Sequence, residues 1–338
     1  MMRIAWLAIA FVGTMASAVS AQAPKITPTC DRACLEGYVD RYLDAMLANE
    51  VHPKLFARDV KFTENGVRLP LGNEGLWFGM SGKGKYKFYV PDVETQQVAF
   101  IGTVIENTRG RGANNGEGDK VAIALRLKIV GGVITEVEQL AVRPDTPLGG
   151  RGGGARAGGA APPAAPAGRG AGPGASGTGD RVDAMGQPHP VFREVIPEAK
   201  RASREDLIEA ANYYFTGLAR NDGKGYYPFT ADCERFENGF STTQTNCKAQ
   251  FENTLRGIVS RIRDRRFVAV DRERGIVFAF AFFDHDNINW TWQLGELFKI
   301  ENGQIRRVEA VFHRAPYGIP SGWSTFEQAM SESIQSIR

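Results

Sequence analysis

Only four histidines occur in 338 residues, and several catalytic signatures are missing altogether. There is no Gly-x-Ser-x-Gly elbow, no His-Glu-x-x-His, no Walker loop, and no dinucleotide fingerprint after a strand. Serine hydrolase, zincin, nucleotide hydrolase and dinucleotide-dependent chemistries are set aside, and no cofactor is expected. An excess of one charge is also lacking: 41 Lys and Arg against 38 Asp and Glu leave +3. That balance gives no reason to expect a nucleic-acid partner, and the run Arg261-Ile262-Arg263-Asp264-Arg265-Arg266 reads as the solvated side and end of a helix. Cysteine is scarce, with four residues, no Cys-x-x-Cys and no nearby histidine, so no metal site is expected. Beyond the N-terminus no stretch is long and apolar enough for a transmembrane helix.

What is present begins with an export signal. Met1-Met2-Arg3 supplies a positive start, Ile4 to Val12 an apolar run, and Val19-Ser20-Ala21 a small-residue cleavage site. Residues 1–21 are read as a signal peptide and the mature chain as secreted or periplasmic, with no membrane span after cleavage. Disulfides suit that compartment. Because each half should close its own core, Cys30–Cys34 and Cys233–Cys247 are the expected pairs. The first requires Cys30 to stand just outside a helix.

The chain repeats itself. Lys128-Ile129-Val130-Gly131-Gly132-Val133-Ile134-Thr135-Glu136-Val137-Glu138 recurs as Lys299-Ile300-Glu301-Asn302-Gly303-Gln304-Ile305-Arg306-Arg307-Val308-Glu309, an offset of 171 from 128 to 299 that also carries Arg143 onto Arg314. Glu64-Asn65-Gly66 recurs as Glu237-Asn238-Gly239. Two copies of one fold explain this collinearity. They are placed at 29–143 and 200–320, joined by a Gly/Ala/Pro-rich flexible linker over 144–190 that has too little apolar surface to offset ordering. A C-terminal helix is expected over 324–338.

Each copy opens with an amphipathic helix: Leu35, Tyr38, Val39, Tyr42, Met46 and Leu47 in the first, with Asp31 or Thr29 as cap, and Leu207, Ile208, Ala211, Tyr214, Phe215 and Leu218 in the second. A further helix carries Phe251, Leu255, Ile258, Val259 and Ile262; copy one has only a short or looped equivalent between Gly72 and Gly84. Strands follow at 86–90, 97–106, 121–130 and 133–142, and at 267–271, 276–284, 289–300 and 304–312. Gly131-Gly132 and Asn302-Gly303 are two-residue hairpin turns. The fold class is α+β: two tandem cone-shaped domains, each a curled antiparallel sheet wrapped around N-terminal helices.

This order of elements, with Cys30-Asp31-Arg32-Ala33-Cys34-Leu35, Thr63-Glu64-Asn65-Gly66 and Gly75-Leu76-Trp77, resembles a tandem-domain secreted branch of the nuclear transport factor 2-like (SnoaL-like) superfamily. The resemblance implies an apolar cone into which a few polar side chains point. It does not imply one activity, because isomerases, dehydratases, epoxide hydrolases, cyclases and non-catalytic members share the fold.

An apolar cone raises carboxylate pKa values and leaves histidine poised for cofactor-free proton transfer. Glu138 and Glu309 share strand parity with apolar neighbours and are expected to point inward, or else to pair with Arg126 or Arg307. His285, Glu309 and His313 are the catalytic candidates, expected to converge at one end of the second cone; His52 and His189 sit in loops. Glu64, Glu237, Trp77, Trp290 and Trp292 are candidate ligand-binding residues, the tryptophans with core packing as the plain alternative. The expected function is binding of a small apolar or aromatic molecule, with cofactor-independent acid–base catalysis of isomerase, lyase or hydrolase type. The alternative is a non-catalytic module in which the copies pair within one chain to bind or scaffold.

Overall fold

The computed structural model describes residues 30–107, 118–144, 177–220, 222–243, 246–253, 255, 257 and 259–335. The expected signal peptide, 1–21, and most of the expected linker, 144–190, therefore lie outside the described residues. Two six-stranded sheets form, each with its own helices.

In the first domain, helix α1 (Arg32–Ala48) is capped by Asp31, whose side chain accepts from the Cys34 N–H. It buries Leu35, Tyr38, Val39, Tyr42 and Met46. Strands β1 (Phe56–Glu64) and β2 (Val67–Arg68) precede the one-turn helix α2 (Leu76–Gly79). The meander β3 (Met80–Asp92), β4 (Gln97–Glu106), β5 (Asp119–Val130) and β6 (Val133–Val142) completes a sheet of order β2-β1-β6-β5-β4-β3. The sheet is mixed, since β1 runs parallel to β6 while every other pair is antiparallel.

The connecting segment is shorter than expected. Residues 177–190 are structured, with helix α3 (Thr178–Ala184) lying against β3, β4 and β5. Asp183 anchors it, accepting from the Lys85 N–H at 2.6 Å and the Thr103 hydroxyl at 2.7 Å, with Lys120 Nζ at 2.8 Å. Burial alone would raise the Asp183 carboxyl, but these partners hold it down at about 2.

The second domain repeats the plan with α4 (Arg204–Arg220), β7 (Phe229–Glu237), β8 (Phe240–Ser241), α5 (Cys247–Asn253), β9 (Arg261–Asp271), β10 (Ile276–His285), β11 (Trp290–Glu301) and β12 (Gln304–Pro316), in the order β8-β7-β12-β11-β10-β9. Two expectations are corrected here. The predicted helix through Ile262 ends at Asn253, and Arg261–Arg266 belong to strand β9 rather than to an exposed helix. Their guanidinium groups find carboxylates: Arg261 and Arg263 meet Asp284, and Arg266 meets Glu138 and Asp264. The C-terminal helix is also cut back, to α6 (Phe326–Met330) with a Thr325/Gln328 capping box.

Both expected disulfides are present, Cys30–Cys34 and Cys233–Cys247. Among the described residues the Asn-Gly turns take left-handed backbone at both residues, at Asn65/Gly66, Asn238/Gly239 and Asn302/Gly303. The Asn65 and Asn238 side chains also bond both backbone groups of Ala141 and Phe312, prolonging the parallel ladder past its last strand residue.

Each sheet packs its concave face on its own helix, and the two outer faces pack on each other. A third apolar cluster fills that contact, including Tyr86, Phe88, Ile101, Ala124 and Leu140 from one sheet and Phe278, Phe280, Leu297 and Val311 from the other. At Gly295 a Cβ would come within 2.5 Å of the Ala124 methyl, so only glycine allows this approach.

Candidate functional site

A bulge in β6 and another in β12 decide where the glutamates point. Register shifts at Lys128/Ile129 and Lys299/Ile300 each insert one extra residue, which flips side-chain parity downstream. Ile134, Val137 and Ala141 therefore face the first cone's interior, and Val308, Ala310 and Phe312 the second's. Glu138 and Glu309 face outward, into the contact between domains, which corrects the expectation that they line the cones. Both Glu138 oxygens lie 2.7 Å from Arg266 Nη1, with Arg126 Nε at 3.5 Å. Glu309 accepts from the Tyr86 hydroxyl of the first domain at 2.7 Å and from Arg307 Nε at 2.9 Å.

The expected convergence of His285, Glu309 and His313 does not occur either. His313 lies on the outer face of β12, its Nε2 3.1 Å from Gln293 Oε1. Burial, and then the Arg143 guanidinium, push its pKa down to about 4. His285 lies on the opposite face, against Trp292 (ring centroids 4.4 Å) and Trp290 (5.7 Å). Burial lowers its pKa, against the raising effects of the Phe283 backbone and the Asp284 and Asp286 carboxylates. Asp284, one residue earlier, points outward to Arg261, Arg263 and Thr291.

The two cone interiors, superposed through their shared strand registers, differ in chemistry. In the first, Tyr42, Gln139 and Glu64 form a closed chain. The Trp77 indole N–H donates to the Tyr42 oxygen at 3.0 Å, and the Tyr42 hydroxyl donates to Gln139 Oε1 at 2.9 Å. Gln139 Nε2 donates to Glu64 Oε2 at 2.9 Å; the Leu76 N–H reaches the same oxygen and Arg143 the other. Arg143 also clasps Glu106 at 2.6 Å. Apolar Phe62 and Leu125 pack around this chain.

In the second cone Tyr214 stands where Tyr42 does and Glu237 where Glu64 does, but three neighbours change. Arg235 replaces Phe62, Glu296 replaces Leu125, and Ala310 replaces Gln139, as the pairings Arg235↔Val308 and Glu296↔Ala310 match Phe62↔Val137 and Leu125↔Gln139. Arg235 Nε donates to the Tyr214 oxygen at 3.1 Å, and Arg235 Nη2 closes tightly on Glu237. Arg235 Nη1 and Glu296 Oε2 are buried without a hydrogen-bond partner among the described residues. Burial, and then the Glu237 carboxylate, raise the Glu296 pKa well above the ordinary carboxylate range, overriding Arg235 and Tyr214. This shift favours the protonated form of Glu296. Around it a cavity of about 30 Å³ remains, walled by Leu218, Phe283, Trp292, Leu294 and Phe312.

The mouth of this cone is aromatic. His285 takes the place of Glu106, and Trp290 that of Asp119, by the pairings His285↔Trp290 and Glu106↔Asp119. Arg314, the counterpart of Arg143, has no such carboxylate and lies over the Trp290 ring at 3.9 Å. Of the expected ligand residues, Glu237 and Trp292 line the second cavity and Trp290 its rim; Glu64 and Trp77 belong to the filled first cone. Arg235, Tyr214 and Glu296 escaped the sequence reading as site residues. The repeat held the signal: Glu296 interrupts the alternating apolar positions Trp290, Trp292, Leu294, Phe298 and Ile300 at a place where the first copy has leucine.

Among the described residues no group of three or more His, Cys, Asp or Glu side chains is placed to hold a metal ion, and no helix is long and apolar enough to cross a membrane. A family model described as "Domain of unknown function (DUF8021)" matches residues 200–312, the second copy. No curated protein matches the chain. Among solved structures, a de novo designed protein with a curved β-sheet is 15% identical, covering 33% of this chain and 88% of its own, with a TM-score of 0.26. A nuclear transport factor 2-like protein of unknown function from Burkholderia xenovorans LB400 is 14% identical, covering 36% of this chain and 94% of its own, with a TM-score of 0.27.

Proposed function

We propose that the second cone binds a small, flat, largely apolar molecule through a carbonyl or hydroxyl, and that the first cone is its structural partner. The observation that carries this is the replacement of Phe62, Leu125 and Gln139 by Arg235, Glu296 and Ala310, which trades a satisfied interior for one with two unpaired polar atoms. Leaving such atoms buried costs free energy that packing alone gives no reason to spend. In its protonated form, which the raised pKa favours, Glu296 donates a hydrogen bond to a ligand oxygen, Arg235 stabilises negative charge developing there, and the aromatic rim stacks on the flat body. In an acid–base reaction of isomerase or lyase type Glu296 is the acid, and His285 or Glu237 receives the proton. The cavity is about the size of one water, so a larger ligand enters by rotation of the Trp292 and Phe312 side chains at the mouth. The two disulfides support an exported, oxidising setting for this activity.

The small cavity favours a second reading, a non-catalytic double cone whose copies pair within one chain. Fluorescence titration with aromatic ketones and phenols separates the two. Saturable quenching that is lost in Glu296→Leu and kept in Glu64→Gln supports the binding cone. Absence of saturable binding by the intact chain, or equal binding by Glu296→Leu, supports the scaffold.

A further inference from the structure

A larger cavity lies away from either cone interior, where the two domains meet the segment that joins them. It measures about 400 Å³, within the range that holds a small organic ligand. Its wall comes from three parts of the chain: Glu36 of α1 with Lys85 and Lys87 of β3, Arg193 of the connecting segment, and Arg274 of the β9–β10 turn. Tyr89 lines its apolar side, backed by the buried pair Phe88 and Phe192, whose rings lie 4.8 Å apart between centroids.

The charge of this wall is one-sided. Four cationic side chains face one carboxylate, in a chain whose overall balance is nearly even. The cations are incompletely matched. Arg274 Nε is buried without a hydrogen-bond partner among the described residues. Lys87 reaches Asp40 only at 3.4 Å between half-exposed groups, and Arg193 bonds the neutral Gln187 amide at 2.8 Å. The single carboxylate is itself biased towards neutrality, because burial raises the Glu36 pKa more than Arg32 and Arg274 lower it.

We propose that this junction cavity binds a small organic anion, a carboxylate or phosphate on an apolar ring. The acid group sits among Lys85, Lys87 and Arg274, and the ring lies along Tyr89. Guanidinium and ammonium donors around an acid group give charge-assisted hydrogen bonds, about twice as strong as neutral ones. Because Lys85 and Lys87 belong to the first domain and Arg274 to the second, an occupied site also ties the two domains together, and binding raises the melting temperature by mass action.

Calorimetric titration of the full chain with benzoate, phenyl phosphate and uncharged benzyl alcohol tests this. The expected result is saturable one-site binding of at least one anion, weakened by added salt, with no binding of the alcohol. The tighter of the two anions identifies the acid group. Arg274→Gln, and separately Lys85→Gln at an exposed position, should each weaken binding about tenfold, the equivalent of one charge-assisted contact. A Glu296→Leu chain should bind the anions as the parent does, which keeps this site distinct from the cone. Failure of both anions to bind saturably, equal binding of the alcohol, or unchanged affinity in both single variants would overturn the proposal.

Discussion

Exchanging the altered interior residues of the second cone for their counterparts in the first tests the account of Glu296. In Glu296→Leu, a buried carboxyl with one unpartnered oxygen gives way to the side chain that position 125 carries. Relief of an unsatisfied buried oxygen is worth about 1–3 kcal/mol, and a Tyr214 hydroxyl left without an acceptor returns about 1 kcal/mol. The variant should therefore be as stable as the parent or about 2 kcal/mol more stable. Arg235→Phe alone should lose about 3–5 kcal/mol, because Glu237 keeps its buried charge without a partner. Adding Ala310→Gln to the Arg235→Phe/Glu296→Leu pair supplies an amide that bonds Tyr214 and Glu237 as Gln139 bonds Tyr42 and Glu64, so the triple variant should recover most of that loss. Urea unfolding followed by tryptophan fluorescence measures all four chains. The pH dependence adds a sign. The folded Glu296 pKa is raised above its unfolded value, so its stabilising share is complete below about pH 4.3 and is lost as pH rises through the folded pKa. The advantage of Glu296→Leu should accordingly grow as pH rises above about 4.3. A Glu296→Leu chain that loses more than about 2 kcal/mol, with no such pH trend, would show an ionised, paired Glu296 and refute the reasoning.

Glu138→Leu should cost about 3–5 kcal/mol by stranding Arg266 and Arg126 between the domains, seen as a lowered urea midpoint with no change in ligand binding by the second cone. His313, with its pKa lowered from 6.5 to about 4, favours the folded state above its unfolded pKa. That share is lost as pH falls from about 6.5 towards 4, up to about 3 kcal/mol; His313→Gln should flatten this part of the stability profile measured by thermal unfolding. Asp183→Ala should remove about 2–3 kcal/mol through its charge-assisted bonds and expose the 177–184 backbone to hydrogen exchange. Reduction should cost about 3 kcal/mol, mainly through Cys233–Cys247, which closes the longer loop of 14 residues; Cys30→Ser/Cys34→Ser should lose much less.

The repeat, the helices, the hairpin turns and both disulfide pairs were legible in the sequence because each rests on local rules: apolar spacing, Asn-Gly and Gly-Gly turns, and the confinement of each cysteine pair to one copy. The failures share a different cause. Arg261–Arg266 reads as a solvated helix face because nothing local reveals Asp284 and Glu138 waiting across the sheet and across the domain contact. Glu138 and Glu309 were assigned to the wrong face because strand parity was carried through a bulge at Thr135 or Arg306, where one extra residue reverses it. His313 went with them, on the same strand and past the same bulge.

The alignment of the two copies held more functional information than any motif within one. Residues kept in both, such as the tyrosine of the first helix, the Glu-Asn-Gly turn and the last-strand glutamate, mostly serve the cone or the contact between cones. Residues that changed from apolar to charged at a buried position, Phe62 to Arg235 and Leu125 to Glu296, have no counterpart in the fold of the first cone. A fold tolerates a guanidinium and a carboxyl in its interior only at a cost in desolvation, and the first copy shows that this cone closes without them. The difference between the copies therefore supports the proposed ligand site at Arg235, Glu296 and the aromatic rim around His285. The duplicated scaffold backs that rim: the sheet that bears Glu296 packs on a second sheet at glycine-limited distance.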